Sequence, residues 1–153
     1  MWYSLSDAQY AKQTPITAID IDSRVIAYGD GFFTTMAVVA GQINWLSYHL
    51  DRIDESVHAL QLNLTNADLD AANLAAANLE SPNHTIRAYF NSQLANFAKT
   101  LNHGMLKLIV CRKNQPIKGY GFCNSEFDAF IKLMPTDKPL AQQANQVIIQ
   151  PPA

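Results

Sequence analysis

The amino-acid sequence predicts an α+β fold: a mostly antiparallel sheet with two main helices on one face. Two stretches repeat apolar residues at helical spacing. Several short runs are β-branched or aromatic and are bounded by turn residues. A chain of 153 residues, 48% of them hydrophobic, is long enough for one domain with a real core and too short for two ordinary ones.

The first strand-like run is Ile16 to Ile21. The second, Phe32 to Val39, reads FFTTMAVV, and a third, Gln42 to Trp45, follows Ala40-Gly41; two such runs around a glycine turn predict a hairpin. The pair Gly29 and Gly31 around Asp30 predicts a tight turn with positive φ just before the second run. Ser47 to Leu60 is the first helix. Leu46, Leu50, Ile53, Val57 and Leu60 recur at intervals of four, three, four and three, which is one helical face. His49, Arg52 and Ser56 fall on one shoulder of that stripe, while Asp51, Asp54 and Glu55 fall on the far side, toward solvent. An arginine at such a border either snorkels or serves as a placed anion ligand, and the helix alone leaves both open.

In Ala67 to Ser81, Leu69, Leu74 and Leu79 recur every five residues, as in pentapeptide repeats, yet three copies are too few to stack into a solenoid. The other reading is an alanine-rich helix started by Thr65, with Asp68 in its first turn. Either way the segment reads as a surface insertion. A second amphipathic helix runs from Thr85 to Leu101, with Ile86, Tyr89, Phe90, Leu94, Phe97 and Leu101 as its apolar face and Gly104 as its end. Met105 to Arg112 is apolar on both faces for most of its length, as a central strand is, and Phe127 to Met134 is a further strand. Residues 1–135 are therefore expected to form one domain, with 67–81 as the insertion. Residues 136–145 are polar and unpatterned and read as an interdomain linker. Residues 146–153 read as the first strand of a C-terminal domain that is absent.

Composition excludes several classes. A net charge of −2 gives no basic surface for nucleic acid, and no run of about 20 apolar residues could span a membrane. The N-terminus has no basic stretch followed by an apolar one, and the two cysteines, Cys111 and Cys123, form no Cys-x-x-Cys pair; a cytoplasmic protein is expected. Cys111 sits in an apolar run and reads as a small core residue. The four histidines show no i, i+4 pair, so no metal is expected.

The most specific string is Ser23-Arg24-Val25-Ile26-Ala27-Tyr28-Gly29-Asp30-Gly31-Phe32-Phe33-Thr34-Thr35. It resembles the S-x-R-x-x-x-(Y/F)-G-D-G-x-F-T-T signature of class IV pyridoxal-phosphate enzymes, which include aminodeoxychorismate lyases, D-amino-acid aminotransferases and branched-chain aminotransferases. Two further strings follow in the family's order. His49 to Ser56 is similar to its H-(L/I)-x-R-L-x-x-S helix. Leu106 to Arg112, then Lys118-Gly119-Tyr120, is similar to its L-K-(L/I/V)-x-(V/I)-x-R-G-x-x-x-R-G-Y string. Thr34-Thr35 and the Lys-Gly-Tyr end point to the lyases within the group. The sequence departs from the pattern at Lys113, which replaces a glycine, at Lys118, which replaces an arginine after one extra residue, and at Ala37, where related lyases often carry an arginine.

The resemblance implies the fold of the N-terminal domain of D-amino-acid aminotransferase-like enzymes, and pyridoxal 5'-phosphate as cofactor in the intact enzyme. It gives Arg52 to the cofactor phosphate and Phe33, Lys118 and Tyr120 to the substrate pocket. The residues themselves leave Phe33 open as a plain core aromatic and Lys118 as a solvated loop lysine. The implied reaction is release of pyruvate from 4-amino-4-deoxychorismate to give 4-aminobenzoate, by a homodimer acting on a small molecule. An aminotransferase of the same fold and a non-catalytic binding or dimerisation domain are the alternatives. The family's Schiff-base lysine would lie beyond Ala153, no lysine of the chain replaces it, and so the expectation is no catalytic residue here and weak or no cofactor binding by this chain alone.

Overall fold

The structure, a computed structural model, describes residues 1–5, 15–65, 68–69, 82–117 and 119–138. Its elements in chain order are β1 (Trp2–Ser4), α1 (Arg24–Tyr28), β2 (Gly31–Val39), β3 (Gln42–Ile43), α2 (Leu46–Ala59), α3 (Pro82–Leu101), β4 (Gly104–Arg112) and β5 (Phe127–Pro135). The five strands form one sheet in the order β1-β5-β4-β2-β3, and every pairing is antiparallel. The strand expected to be central, β4, sits in the middle.

Successive side chains of a strand point to opposite faces. One face of the sheet is therefore lined by Met36 and Val38 of β2, Leu106, Leu108 and Val110 of β4, and Phe127, Ala129 and Ile131 of β5, all buried. Leu50, Ile53 and Val57 of α2 join this core, as do Ile86, Tyr89, Phe90, Leu94 and Phe97 of α3. The two helices thus cover one face, each by the apolar stripe read from its sequence. Phe90 stacks on Phe127 and meets Tyr89 edge-on, locking α3 to β5. The opposite face carries Phe33 and Thr35 of β2, Lys107 and Ile109 of β4, Phe130 and Lys132 of β5, and Trp2 of β1. There Trp2, Ile109 and Phe130, together with Ile16, Ile19, Val25 and Ile26, line an apolar groove of about 460 Å³.

Several local expectations are corrected. Ile16 to Ile21 is not a strand: Ile16 makes a single bridge to Trp2, and the chain then turns where Asp20 Oδ1 accepts the Asp22 amide at 2.9 Å. That side-chain bond offers the backbone an alternative to a ladder, which outweighs the β-branched composition. The Gly-Asp-Gly turn uses its glycines differently from expected. Gly29 takes φ +64 as the left-handed cap of α1, but Gly31 has no positive φ. A Cβ on Gly31 would lie 2.5 Å from the Val110 carbonyl, so close backbone approach requires the glycine. Helix α3 ends through Asn102 (φ +63) rather than at Gly104, which already belongs to β4. The acids of α2 do not all point to solvent: Arg87 of α3 donates to Asp51 and Asp54, each at 2.8 Å, and Asp54 is half-buried.

Cys111 is buried, and burial, aided by the nearby charges of Asp128 and Asp30, pushes its thiol up to about 12, so it behaves as a core residue with no thiolate character. Thr65 and Asp68 cap each other's amides, at 2.8 Å (Thr65 N to Asp68 Oδ2) and 3.2 Å (Asp68 N to Thr65 Oγ1), a helix-start pattern at the entry to the 67–81 segment. The rest of that segment, most of the expected linker and all of the expected 146–153 strand lie outside the described residues.

Candidate functional site

The first anchor of the site is a bond between sheet and helix. Thr34 on β2 points to the helical side and is buried, and its Oγ1 lies 2.9 Å from His49 Nδ1. This hydrogen bond holds the shoulder of α2 that carries His49 and Arg52 against the strand. Partial burial, and secondarily the Arg52 charge, lower the His49 pKa, so the imidazole is neutral at pH 7. Arg52 itself is exposed and, among the described residues, has no hydrogen bond or ion pair. Every other arginine of the chain is engaged: Arg24 and Arg112 with Asp30, and Arg87 with Asp51 and Asp54. A guanidinium free of protein acceptors on a pinned helix is available to an external anion.

Phe33 is 54% exposed on the open face of the sheet, so it is not a core aromatic. The Lys107 ammonium stands 4.8 Å from its ring centroid, and Lys107 pairs across the ladder with Thr35. This puts a ring, a hydroxyl and a cation side by side on the solvent side of β2 and β4. Next to Lys107 in register, on β5, is Lys132, whose ammonium lies 5.7 Å from the Trp2 ring. The sequence reading passed over Lys107 because it lies in an apolar run; a lone lysine within that run was the signal that its position faces outward.

Tyr120 is 83% exposed and meets Tyr28 edge-on with centroids 5.6 Å apart. The Tyr28 hydroxyl accepts the Gly119 amide at 2.9 Å, tying the loop after β4 to the end of α1. Tyr120 is thus placed beside the Gly-Asp-Gly turn rather than beside Phe33. Lys118 lies outside the described residues. Phe33, Arg52 and Tyr120 share no hydrogen bond or ring contact with one another among the described residues. Sequence reasoning missed the cluster beneath Tyr120. Asp30 Oδ2 accepts from Arg24 Nε at 2.8 Å and from Arg112 Nε at 2.9 Å, all three side chains being buried or nearly so. All three stood in the quoted strings, but nothing in their spacing revealed that they meet.

The model of the class IV amino-transferase family matches residues 31–153. The chain belongs to that family. Among solved structures, this class IV chain is similar to the 4-amino-4-deoxychorismate lyase of Pseudomonas aeruginosa, with 26% identity and a TM-score of 0.61. The match covers 94% of this chain and 44% of the lyase, so the chain spans less than half of that relative's length. A hypothetical aminotransferase from Mycobacterium tuberculosis, solved in a PLP-bound form, shares the fold at 19% identity and a TM-score of 0.52, over 88% of this chain and 39% of that one. No curated protein matches the chain. The class IV family uses pyridoxal phosphate. The five-stranded antiparallel sheet with its helices is the N-terminal part of the fold these enzymes share. No helix among the described residues is long and apolar enough to cross a membrane.

Proposed function

We propose that this chain provides the phosphate anchor and one substrate-facing wall of a pyridoxal-phosphate-dependent lyase that releases pyruvate from 4-amino-4-deoxychorismate and leaves 4-aminobenzoate. The observation that carries this reading is the unpaired Arg52 guanidinium, on a helix fixed to β2 by the His49–Thr34 bond. Its donor set fits a phosphate: a fixed fork of N–H donors, permanently charged, with no competing carboxylate. The cofactor, when bound, supplies an electron sink for the reaction.

The chain's own residues then bind and orient. Arg52 holds phosphate oxygens, and the neutral His49 keeps Arg52's shoulder of the helix in place. On the open face Lys107 offers a cation to a substrate carboxylate while Phe33 gives it an apolar wall that excludes water. Tyr120, on the loop after β4, contacts the substrate from a second direction, Lys118 adds a cation to the substrate contacts, and the functional unit is a homodimer. The lyase is favoured over an aminotransferase by the Thr34-Thr35 pair and by the likeness to the Pseudomonas enzyme.

The test uses the complete gene product. Equal amounts of 4-aminobenzoate and pyruvate from 4-amino-4-deoxychorismate are expected. Amino transfer to a keto acid without those products would overturn the lyase reading. Arg52→Gln should weaken cofactor binding by about 10- to 100-fold, the equivalent of a lost charge-assisted hydrogen-bond pair. An unchanged cofactor affinity would remove Arg52 from the site.

A further inference from the structure

Among the described residues there are two arginine–aspartate clusters of opposite stoichiometry. On the surface, Arg87 faces two carboxylates, Asp51 and Asp54. In the interior, two guanidiniums share one carboxylate: Arg24 (side chain 3% exposed) and Arg112 (1%) both donate to Oδ2 of Asp30 (12%). The interior cluster therefore has two positive charges and one negative. A buried charge left uncompensated is costly, so such a cluster calls for a second anion.

The donors show which arginine is short of an acceptor. Arg112 is satisfied: Nε binds Asp30, Nη1 donates to the Asn124 carbonyl at 3.0 Å, and Nη2 donates to the Leu60 carbonyl. The Phe122 ring covers its guanidinium at 3.7 Å. Arg24 is not satisfied. Nε binds Asp30, Nη1 reaches the Ile117 carbonyl only at 3.4 Å, and Nη2 is buried with no partner. Arg24 also borders a cavity of about 240 Å³, whose wall includes Tyr28, Ala59, Gln61, Arg112 and Tyr120. Water occupies about 30 Å³ in the liquid, so this space admits a phosphate-sized ion with some of its hydration. Tyr28 already accepts from Gly119 and keeps its own O–H to donate, and Gln61 brings an amide. The one carboxylate among the described lining residues is Asp30, whose Oδ2 is already committed twice.

We propose that this cavity is a binding site for a small oxyanion, a carboxylate or a phosphate, held by Arg24 with Tyr28 and Gln61. A bound monoanion brings the cluster to neutrality. The site does not involve Arg52, although its wall shares Tyr120 with the substrate contact proposed above.

The test titrates sodium phosphate, sodium acetate and sodium chloride, at matched ionic strength, into the 153-residue chain carrying Arg52→Gln, which removes the other free guanidinium. The thermal midpoint and the Arg24 Nε–Hε nuclear magnetic resonance are followed together. A saturable rise in midpoint and a saturable Arg24 shift with phosphate, acetate or both, absent with chloride, are expected, and the responding salt identifies which oxyanion the site takes. Ala59→Leu, on the exposed end of α2, fills the cavity rim without touching a charge and should abolish the response in a chain that still melts cooperatively. Arg24→Gln should abolish it as well. Equal responses to all three salts, or an undiminished response in Ala59→Leu, would overturn the proposal.

Discussion

Ala40 adopts φ +50 and Gly41 φ +73 in the two-residue turn between β2 and β3, the conformation of a type I′ hairpin. Glycine takes it without strain, but an alanine in the left-handed region costs about 1–2 kcal/mol. Asparagine tolerates that region, so Ala40→Asn should stabilise the chain by about 1 kcal/mol and raise the thermal midpoint by about 2–4 °C. Calorimetry on the two proteins decides it, and a lower midpoint would contradict the turn. At His49 the expected effect depends on pH. Its folded pKa is lowered from 6.5, chiefly by burial. As pH falls through that value the unfolded chain takes up a proton that the folded imidazole refuses, so this contribution is present above 6.5 and is lost on acidification. His49→Gln also weakens the bond to buried Thr34, at a cost of about 1 kcal/mol near pH 7.5. The gap between wild type and variant should narrow by pH 5 in urea unfolding; a gap that widens would show the imidazole to be charged in the fold.

The two main helices meet through apolar and ionic contacts of very unequal weight. Arg87 links α3 to Asp51 and Asp54 of α2, but its side chain and Asp51 are largely solvated. Arg87→Ala should therefore cost no more than about 1 kcal/mol, and less at high salt. Phe90, fully buried between Tyr89 and Phe127, should cost about 3–5 kcal/mol on truncation to alanine. Parallel denaturant curves for the two variants test that ranking. It also explains which elements could be read from the sequence. Helices α2 and α3 were legible because burial of one face imposes a helical period, and strands β2, β4 and β5 because burial selects apolar, β-branched and aromatic runs between turn residues; burial is what holds these elements. Elements held by something else were not. Strand β1 is three residues long and shows no period; α1 is a five-residue helix inside the Gly-Asp-Gly string; Ile16 to Ile21 has strand composition but is bent by the Asp20 side chain. For the site, helix geometry put Arg52 on the same shoulder of α2 as His49, where the structure leaves it exposed. The motif drew attention to Phe33 and Tyr120, yet sequence could not show that they look out from different parts of the fold. That separation arises from strand register and loop ties, which are long-range facts.

At the scale of the whole molecule, Asp30 is the junction of the site-bearing segments. Its carboxylate binds Arg24 of α1 and Arg112 of β4. Through those arginines it reaches the carbonyls of Leu60 after α2, and of Ile117 and Asn124 in the loop after β4. Its backbone adds two further ties, donating to the Arg24 carbonyl at 3.2 Å and accepting from the Arg112 amide at 3.1 Å. One carboxylate therefore sets the relation between the Gly-Asp-Gly turn, the central strand and the loop that carries Tyr120. Asp30→Asn keeps the size of the side chain but removes the charge, which leaves two buried guanidiniums facing each other. Breaking a buried pair in this way costs about 3–5 kcal/mol, a large part of an ordinary domain's stability. Removing Arg24 instead leaves Asp30 paired with Arg112 and relieves the repulsion between the arginines, so Arg24→Met should cost clearly less than Asp30→Asn. Urea midpoints of the two variants check the order. If Arg24→Met proved the more damaging, the excess positive charge would not be the dominant electrostatic feature of the cluster, and the Arg24 guanidinium over the Tyr28 ring, 5.1 Å from its centroid, would have to carry more of the stability than the charge balance does.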